Sequence, residues 1–240
     1  MISPFLENRN FVKDALQTFR VFEAIEDSEY QIREKRANQP GNLKLINIEG
    51  IPFSKKSSIT NIWSFDFEIE DKLFYTPKCS KVEKGLIVFS KKEAYVILIE
   101  MKSKLYGSGD DGLLKIEDKL RDSLSKLSLF ATPFIFNERH SYIKRVNFFF
   151  LIAFNTEHVT QQANADINIK KYQLYPAFLA SKEGKSKSLI LRDYFGQTFN
   201  IEIMFIENKG REKEELEINL DDIINSPEFS EAKTHEFTCP

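Results

Sequence analysis

The stretch that decides the fold is YVILIEMK, residues 95–102, in which an uninterrupted apolar run ends in two charged side chains. A strand that is covered on both faces has this pattern, because none of its alternate positions has to meet water. A second apolar run, GLIVF, precedes it at residues 85–89, and the segment between them is polar. The two runs therefore predict a hairpin whose second strand is central to a sheet.

A long helix and further strands are predicted around this hairpin. Apolar residues recur at helical spacing from Leu113 to about Phe130, and Asp110 or Asp111 is expected to cap this helix. Another buried run, VNFFFLIAF, follows at residues 146–154. The order strand, helix, strand predicts the α/β class, with a central mixed sheet flanked by helices. Helices are also predicted at residues 10–36 and 220–225, and strands at residues 43–48, 62–69, 189–191 and 199–206.

Composition and charge limit the class of protein. The 240 residues are 42% apolar and 29% charged, which is typical of a globular chain, and we expect one domain over residues 1–225 with a loose tail over 226–240. The formal net charge is only -2, so a site for nucleic acid has to be a local patch. The absence of a signal-peptide pattern, of a long apolar run and of paired cysteines predicts a cytoplasmic protein without membrane contact.

Glu100 and Lys102 are the candidates for a functional site. Side chains two apart on a strand share a face, so both lie on one side of the predicted sheet. Burial of ionisable groups is costly unless they pair or bind a ligand, and their position therefore needs a reason. One reason is a binding site, and the alternative is an ion pair at the exposed end of the strand.

At these residues the sequence resembles the PD-(D/E)XK nuclease superfamily. In that family a hairpin carries an acid on its first strand and Glu-x-Lys or Asp-x-Lys on its second, and a helix and another strand follow. Residues 75–155 have the same order of predicted elements. The resemblance implies a restriction-endonuclease-like core and a metal-dependent endonuclease that hydrolyses DNA, with RNA as the alternative substrate. It also implies a role in restriction, repair or phage defence, with a second copy of the chain or a helicase or other ATPase as partner.

The family's first acid leaves two alignments open. Many relatives have Asp where this chain has CSKVE, residues 79–83. A two-residue loop at Lys92 and Glu93 would place Glu83 opposite Lys102, on the face that also carries Glu100. A shift of the loop by one residue would turn Glu83 away and bring Ser80 to the site instead, which would disable it. The first register is preferred because it supplies two carboxylates.

The candidate ligands suit Mg²⁺ or Mn²⁺. Mg²⁺ takes hard oxygen ligands, which Glu83, Glu100 and the backbone carbonyl of Met101 can supply. The metal would neutralise phosphate charge and favour ionisation of a water, and Lys102 would position or deprotonate that water or stabilise the transition state.

Two further site residues are implied by the resemblance alone. The family has an acid on a helix before the hairpin, for which Glu23 is preferred to Glu26, Glu29 and Asp66. It often has Gln or Lys on the next helix, for which Lys115 and Lys119 are the candidates.

Two rival hypotheses lack catalysis. In the first, the chain has the nuclease fold with a decayed metal site, as Ser80 would suggest, and binds nucleic acid or another protein. In the second, it is an α/β interaction module in which Glu100 and Lys102 form only an ion pair.

Overall fold

A computed structural model describes residues 22–25, 29–34, 42–49, 59–65, 67, 81–90, 93–135, 145–192, 196, 198–209 and 214–224 of the chain. The strands in these ranges are β1 (Phe22–Ile25), β2 (Tyr30–Arg33), β3 (Leu45–Glu49), β4 (Ile59–Phe65), β5 (Lys84–Ser90), β6 (Glu93–Leu105), β7 (Arg145–Glu157), β8 (Lys187–Arg192), β9 (Thr198–Glu207) and β10 (Glu215–Asn219). The helices are α1 (Leu113–Ile135), α2 (Val159–Ala165), α3 (Leu174–Lys182) and α4 (Leu220–Ile224), and a 3₁₀ helix lies at Ile167–Lys171.

The described strands form two sheets. The larger has seven strands in the order β1-β4-β5-β6-β7-β9-β8, and the smaller has three in the order β10-β3-β2. The pair β5–β6 is antiparallel, whereas β6–β7 and β7–β9 are parallel. The fold is therefore α/β with mixed sheets, and β6 lies at the centre of the larger one, as the apolar run at residues 95–102 predicts.

The two faces of the larger sheet are covered differently. Val96 and Leu98 of β6 pack with buried residues of α1, α2 and α3, whereas Ile97 and Ile99 pack with the smaller sheet and α4. Each such side chain stabilises the fold by about 1.5–3 kcal/mol through its burial. The prediction that helices flank the sheet holds for the first face only, because the second is covered mainly by another sheet.

The N-terminal prediction is wrong where the structure can be compared with it. Residues 22–25 and 30–33 are strands rather than parts of a helix. β1 pairs with β4 and β2 pairs with β3, both antiparallel, so each strand takes its backbone partners from a distant part of the chain. The helix predicted for residues 10–21 and the loose tail predicted for 226–240 lie outside the described residues.

β6 is longer than its partner β5, and the candidate site lies on the part of β6 that extends past β5. The last pair of β5 with β6 joins Lys84 to Ile99. β6 continues to Leu105 alongside β7. In the described part of the chain, the end of β6 therefore has a strand neighbour on one side only.

The long helix follows directly from this end of β6. A loop at residues 106–112 leads into α1, whose apolar stripe is buried against the sheet at Leu113, Ile116, Leu120 and Leu124. No helix among the described residues has both the length and the apolar character needed to cross a bilayer.

Candidate active site

β6 carries Glu100 and Lys102 towards α1. Glu100 is in register with Ile152 of β7 and Lys102 with Phe154, and both β7 residues belong to the core on the helical side of the sheet. Directly paired residues share a face, so the two charged side chains also lie on that side. The two-residue spacing thus places both groups at one point, as the sequence predicts.

The Glu100 carboxylate is the buried centre of the cluster. Its side chain is 0% exposed. Lys119 Nζ donates to Glu100 Oε1 at 2.7 Å, and Lys102 Nζ lies 3.2 Å from the same oxygen. Glu100 Oε2 is buried and accepts no hydrogen bond from the described residues. A buried carboxylate oxygen without a partner is energetically costly, and a bound cation would satisfy it.

Glu83, the residue immediately before β5, also belongs to this cluster. Its Oε1 lies 3.9 Å from Lys119 Nζ, so one lysine of α1 contacts the acids of both hairpin strands. The Glu83 side chain is about three-quarters buried, with 24% exposed. The structure therefore brings together Glu83, Glu100, Lys102 and Lys119, all four of which the sequence names as candidates.

The predicted hairpin register is nevertheless wrong by two residues. Ser90 pairs with Glu93 and Gly85 pairs with Leu98, so Gly85 does not face Glu100. Glu93 is therefore a residue of the ladder and not of the loop, and its Oε2 accepts from the Tyr95 hydroxyl at 2.6 Å. A slip of two residues keeps every side chain on its face, since the period of a strand is two. Glu83 consequently still reaches the site, and the one-residue shift that would turn it away is not observed.

Glu34 is a further acid at the site, and the sequence analysis does not name it. It follows β2 of the smaller sheet, where its N–H donates to the Lys44 carbonyl at 2.9 Å. A side-chain hydrogen bond joins it to Glu83, and this contact contributes to the raised pKa of Glu83. The smaller sheet is held against the end of β6 by Leu43, whose N–H donates to Ser103 Oγ at 3.2 Å.

Asp111 supplies a second contact to Lys102. Lys102 Nζ donates to Asp111 Oδ1 at 2.6 Å, which is shorter than the distance to Glu100. Sequence analysis considers Asp111 only as a helix cap, because the loop–helix pattern around it gives no sign of a tertiary partner. Its position two residues before α1 and nine after Lys102 returns it to the end of β6.

Burial and charge shift the pKa values of the cluster. Burial, with the nearby carboxylates of Glu100 and Glu34, raises the pKa of Glu83 to about 8, and Lys119 opposes this. Burial also raises the pKa of Glu100 above its usual range against the opposing charges of Lys119 and Lys102. Burial alone would lower the pKa of Lys102, but Glu100 and Asp111 outweigh it and raise that pKa. Glu83 therefore holds a proton at neutral pH that a metal ion would have to displace.

Three other candidate residues remain, of which the structure describes Glu23 and Met101 but not Ser80. Glu23 is an exposed residue of β1, and its partner Ser64 lies on the sheet face opposite to that of Glu100. It is also three strands away from β6, so the structure does not bring it to the cluster. Ser80 lies outside the described residues, and its role as the position of the family acid stays a prediction. Met101 is buried and paired with Ala153 of β7.

The donor set can be compared with what a divalent cation requires. Among the described residues, no three or more His, Cys, Asp and Glu side chains form a group that could hold a metal ion. The predicted ligand set is smaller, with the carboxylates of Glu83 and Glu100 and the Met101 carbonyl, and Mg²⁺ usually completes such a set with water and phosphate oxygens. Oε2 of Glu100 has no hydrogen-bond partner in the described part of the chain, and this observation fits a cation at this position.

Comparisons with known proteins add no relative. The sequence matches no family model, and neither a curated protein nor a solved structure matches it.

Proposed function

We propose that this protein is a Mg²⁺- or Mn²⁺-dependent nuclease of the PD-(D/E)XK type that hydrolyses phosphodiester bonds in DNA. The observation that carries the proposal is the fully buried Glu100 carboxylate, which has one oxygen shared by two lysines and the other without a hydrogen-bond partner among the described residues. Glu83 lies beside it, and the elements β5, β6, α1 and β7 follow one another in the order that the resemblance requires.

In this proposal Glu83, Glu100 and the Met101 carbonyl hold the metal ion. When bound, Mg²⁺ supplies charge neutralisation at the phosphate and favours ionisation of the attacking water. Lys102 and Lys119 donate hydrogen bonds to phosphate oxygens and to the charge that develops on them. The carboxylates of Glu100 and Asp111 balance the charges of these two ammonium groups, so in this proposal attraction of the phosphate depends on the bound metal ion.

Cleavage of supercoiled, linear and single-stranded DNA, with single-stranded RNA in parallel, tests the proposal. We expect cutting that depends on Mg²⁺ or Mn²⁺ and is lost in Glu100→Gln and Lys102→Ala. Matched controls are Glu217→Gln, an exposed acid on β10, and Lys170→Ala, an exposed lysine of the 3₁₀ helix. Equal cutting by Glu100→Gln and the unchanged chain would contradict the proposal.

A second candidate function is a non-catalytic subunit of the same fold that binds nucleic acid or protein. It is favoured by the two ammonium groups on Glu100 Oε1, because they neutralise that carboxylate without any metal. Calorimetric titration with Mn²⁺ separates the two candidates, since only the nuclease requires a metal site. If the chain is inert and Ser80→Asp cuts DNA, it is a disabled nuclease whose acid position is 80.

A further inference from the structure

Asp111 makes the shortest contact of the Lys102 ammonium group. The distance from Lys102 Nζ to Asp111 Oδ1 is 2.6 Å, against 3.2 Å to Glu100 Oε1. An ammonium group has three N–H donors, so these two carboxylates fix two of them and leave one. The lysine side chain is 12% exposed and therefore has little freedom to find another arrangement.

The loop that carries Asp111 is fixed at both ends. Leu113 N–H donates to the Tyr106 carbonyl at 3.1 Å and closes the base of the loop. Gln162 of α2 accepts from the N–H groups of Gly107 at 2.6 Å and Ser108 at 3.3 Å. These bonds connect the loop to α2, since Gln162 lies 55 residues after Gly107 in the chain.

We propose that Asp111 is a positioning residue for Lys102 and that Gln162 keeps the Asp111 loop in the position this requires. The inference rests on the proposed nuclease function, because it assigns a task to the lysine of that site. Asp111 sets the direction of the remaining Lys102 N–H towards the reacting phosphate or water. Because Gln162 anchors the loop, we infer that the loop holds Lys102 in place and does not open and close over the site.

The negative charge of Asp111 distinguishes a role in positioning Lys102 from a role in binding the substrate. A carboxylate that is 53% exposed next to a phosphate repels it, so Asp111 does not add to the affinity for DNA. Loss of Asp111 should therefore lower kcat without raising KM. Loss of a phosphate-binding group would raise KM instead.

Steady-state cleavage with Mg²⁺ tests this, with Asp111→Ala and Asp111→Asn compared with Asp110→Ala. Asp110 is the neighbouring exposed acid of the same loop and serves as the matched control. We expect kcat of Asp111→Ala to fall roughly tenfold to a hundredfold, as for the loss of a charged hydrogen bond. Asp111→Asn keeps an acceptor oxygen and should lie between the two, and Gln162→Ala should reproduce part of the loss. Equal kcat values for Asp111→Ala and Asp110→Ala would overturn the inference.

Acetylation with acetic anhydride, followed by mass spectrometry, tests the contact independently of catalysis. The exposed Lys104 provides an internal reference in the same strand. We expect Asp111→Ala to increase the labelling of Lys102 relative to Lys104, whereas Asp110→Ala leaves the ratio unchanged. An unchanged ratio in Asp111→Ala would refute the contact even if the chain cuts DNA. An increased ratio in a chain that cuts no nucleic acid would support the contact while the proposed function fails.

Discussion

Lys119 on α1 and Glu100 on β6 are joined by a 2.7 Å hydrogen bond that ties the long helix to the charged end of the central strand. The bond lies where β6 has already passed the end of β5, so a helix side chain replaces a strand neighbour. Its energetic weight is considerable, because the carboxylate is fully buried and the lysine side chain is only 17% exposed.

Replacement of Lys119 should therefore destabilise the fold. We expect Lys119→Ala to lower the free energy of unfolding by about 1–3 kcal/mol, because among the described residues it leaves the buried Glu100 with Lys102 as its remaining cation. Lys115→Ala on the same helix should change it by no more than about 0.5 kcal/mol. Urea unfolding followed by circular dichroism measures both, and equal values for the two variants would show that the contact is energetically unimportant.

Removal of the Glu100 charge should weaken metal binding. Glu100→Gln keeps the shape of the side chain but loses the carboxylate, which is the only part of it that a hard cation prefers. We expect the Mn²⁺ affinity measured by calorimetry to fall by at least about tenfold, in keeping with the loss of one charged ligand. Glu217→Gln should bind as the unchanged chain does. Retained affinity in Glu100→Gln would place the metal elsewhere or exclude this site.

The raised pKa of Glu83 predicts how stability depends on pH. Between the ordinary value of 4.5 and about 8, the folded protein holds the Glu83 proton and the unfolded chain does not. Stability should therefore be highest at the acid end of this window and fall as the pH rises, by up to about 1.4 kcal/mol per pH unit from this group. In Glu83→Gln this contribution disappears, so its stability should exceed that of the unchanged chain increasingly towards pH 8. Urea unfolding of both chains at pH 5, 6, 7 and 8 measures this. A constant difference in stability between the unchanged chain and Glu83→Gln over these pH values would contradict the prediction.

A side chain at Gly107 should destabilise the fold. A Cβ there would lie 2.6 Å from Ile169 Cδ1 and 2.9 Å from its Cγ2, and Ile169 is fully buried. We expect Gly107→Ala to cost about 1–3 kcal/mol through overpacking. The Ile169→Val variant removes the Cδ1 methyl, so the double variant should be less destabilised than the sum of the single ones. Strict additivity in a double-mutant cycle measured by urea unfolding would show that the two residues do not compete for space.

The hairpin and its surroundings could be predicted because their signal is local. The apolar runs at residues 85–89 and 95–102 become β5 and β6, and the spacing of Leu113, Ile116 and Leu120 becomes the buried stripe of α1. Face assignments survive the error in register, because a two-residue slip preserves them. For that reason Glu83 could be placed with Glu100 although its partner across the hairpin was wrong.

The parts that could not be predicted depend on distant partners. β1 and β2 contain apolar residues that also fit a helix, and only pairing with β4 and β3 decides between the two structures. The alternation of Gln31, Ile32 and Arg33 is the one local sign of a strand. Glu34 and Asp111 look like ordinary surface acids in sequence, because nothing near them along the chain indicates their contacts with Glu83 and Lys102.

The support given by α2 and α3 has a consequence for transplanting the site. The proposed acids and lysines of the hairpin and α1 fall within residues 83–119, so one could expect this segment alone to be sufficient to transfer the site to another protein. Gln162 anchors the loop before α1, however, and the buried Glu117 of α1 accepts from the Gln173 N–H at 3.2 Å, where α3 begins. A transferred segment that ended with β7 would contain those acids and lysines but would lack the hydrogen bonds of both Gln162 and Gln173. A transferable unit therefore has to extend at least through residue 182, with the smaller sheet included if Glu34 is to be kept.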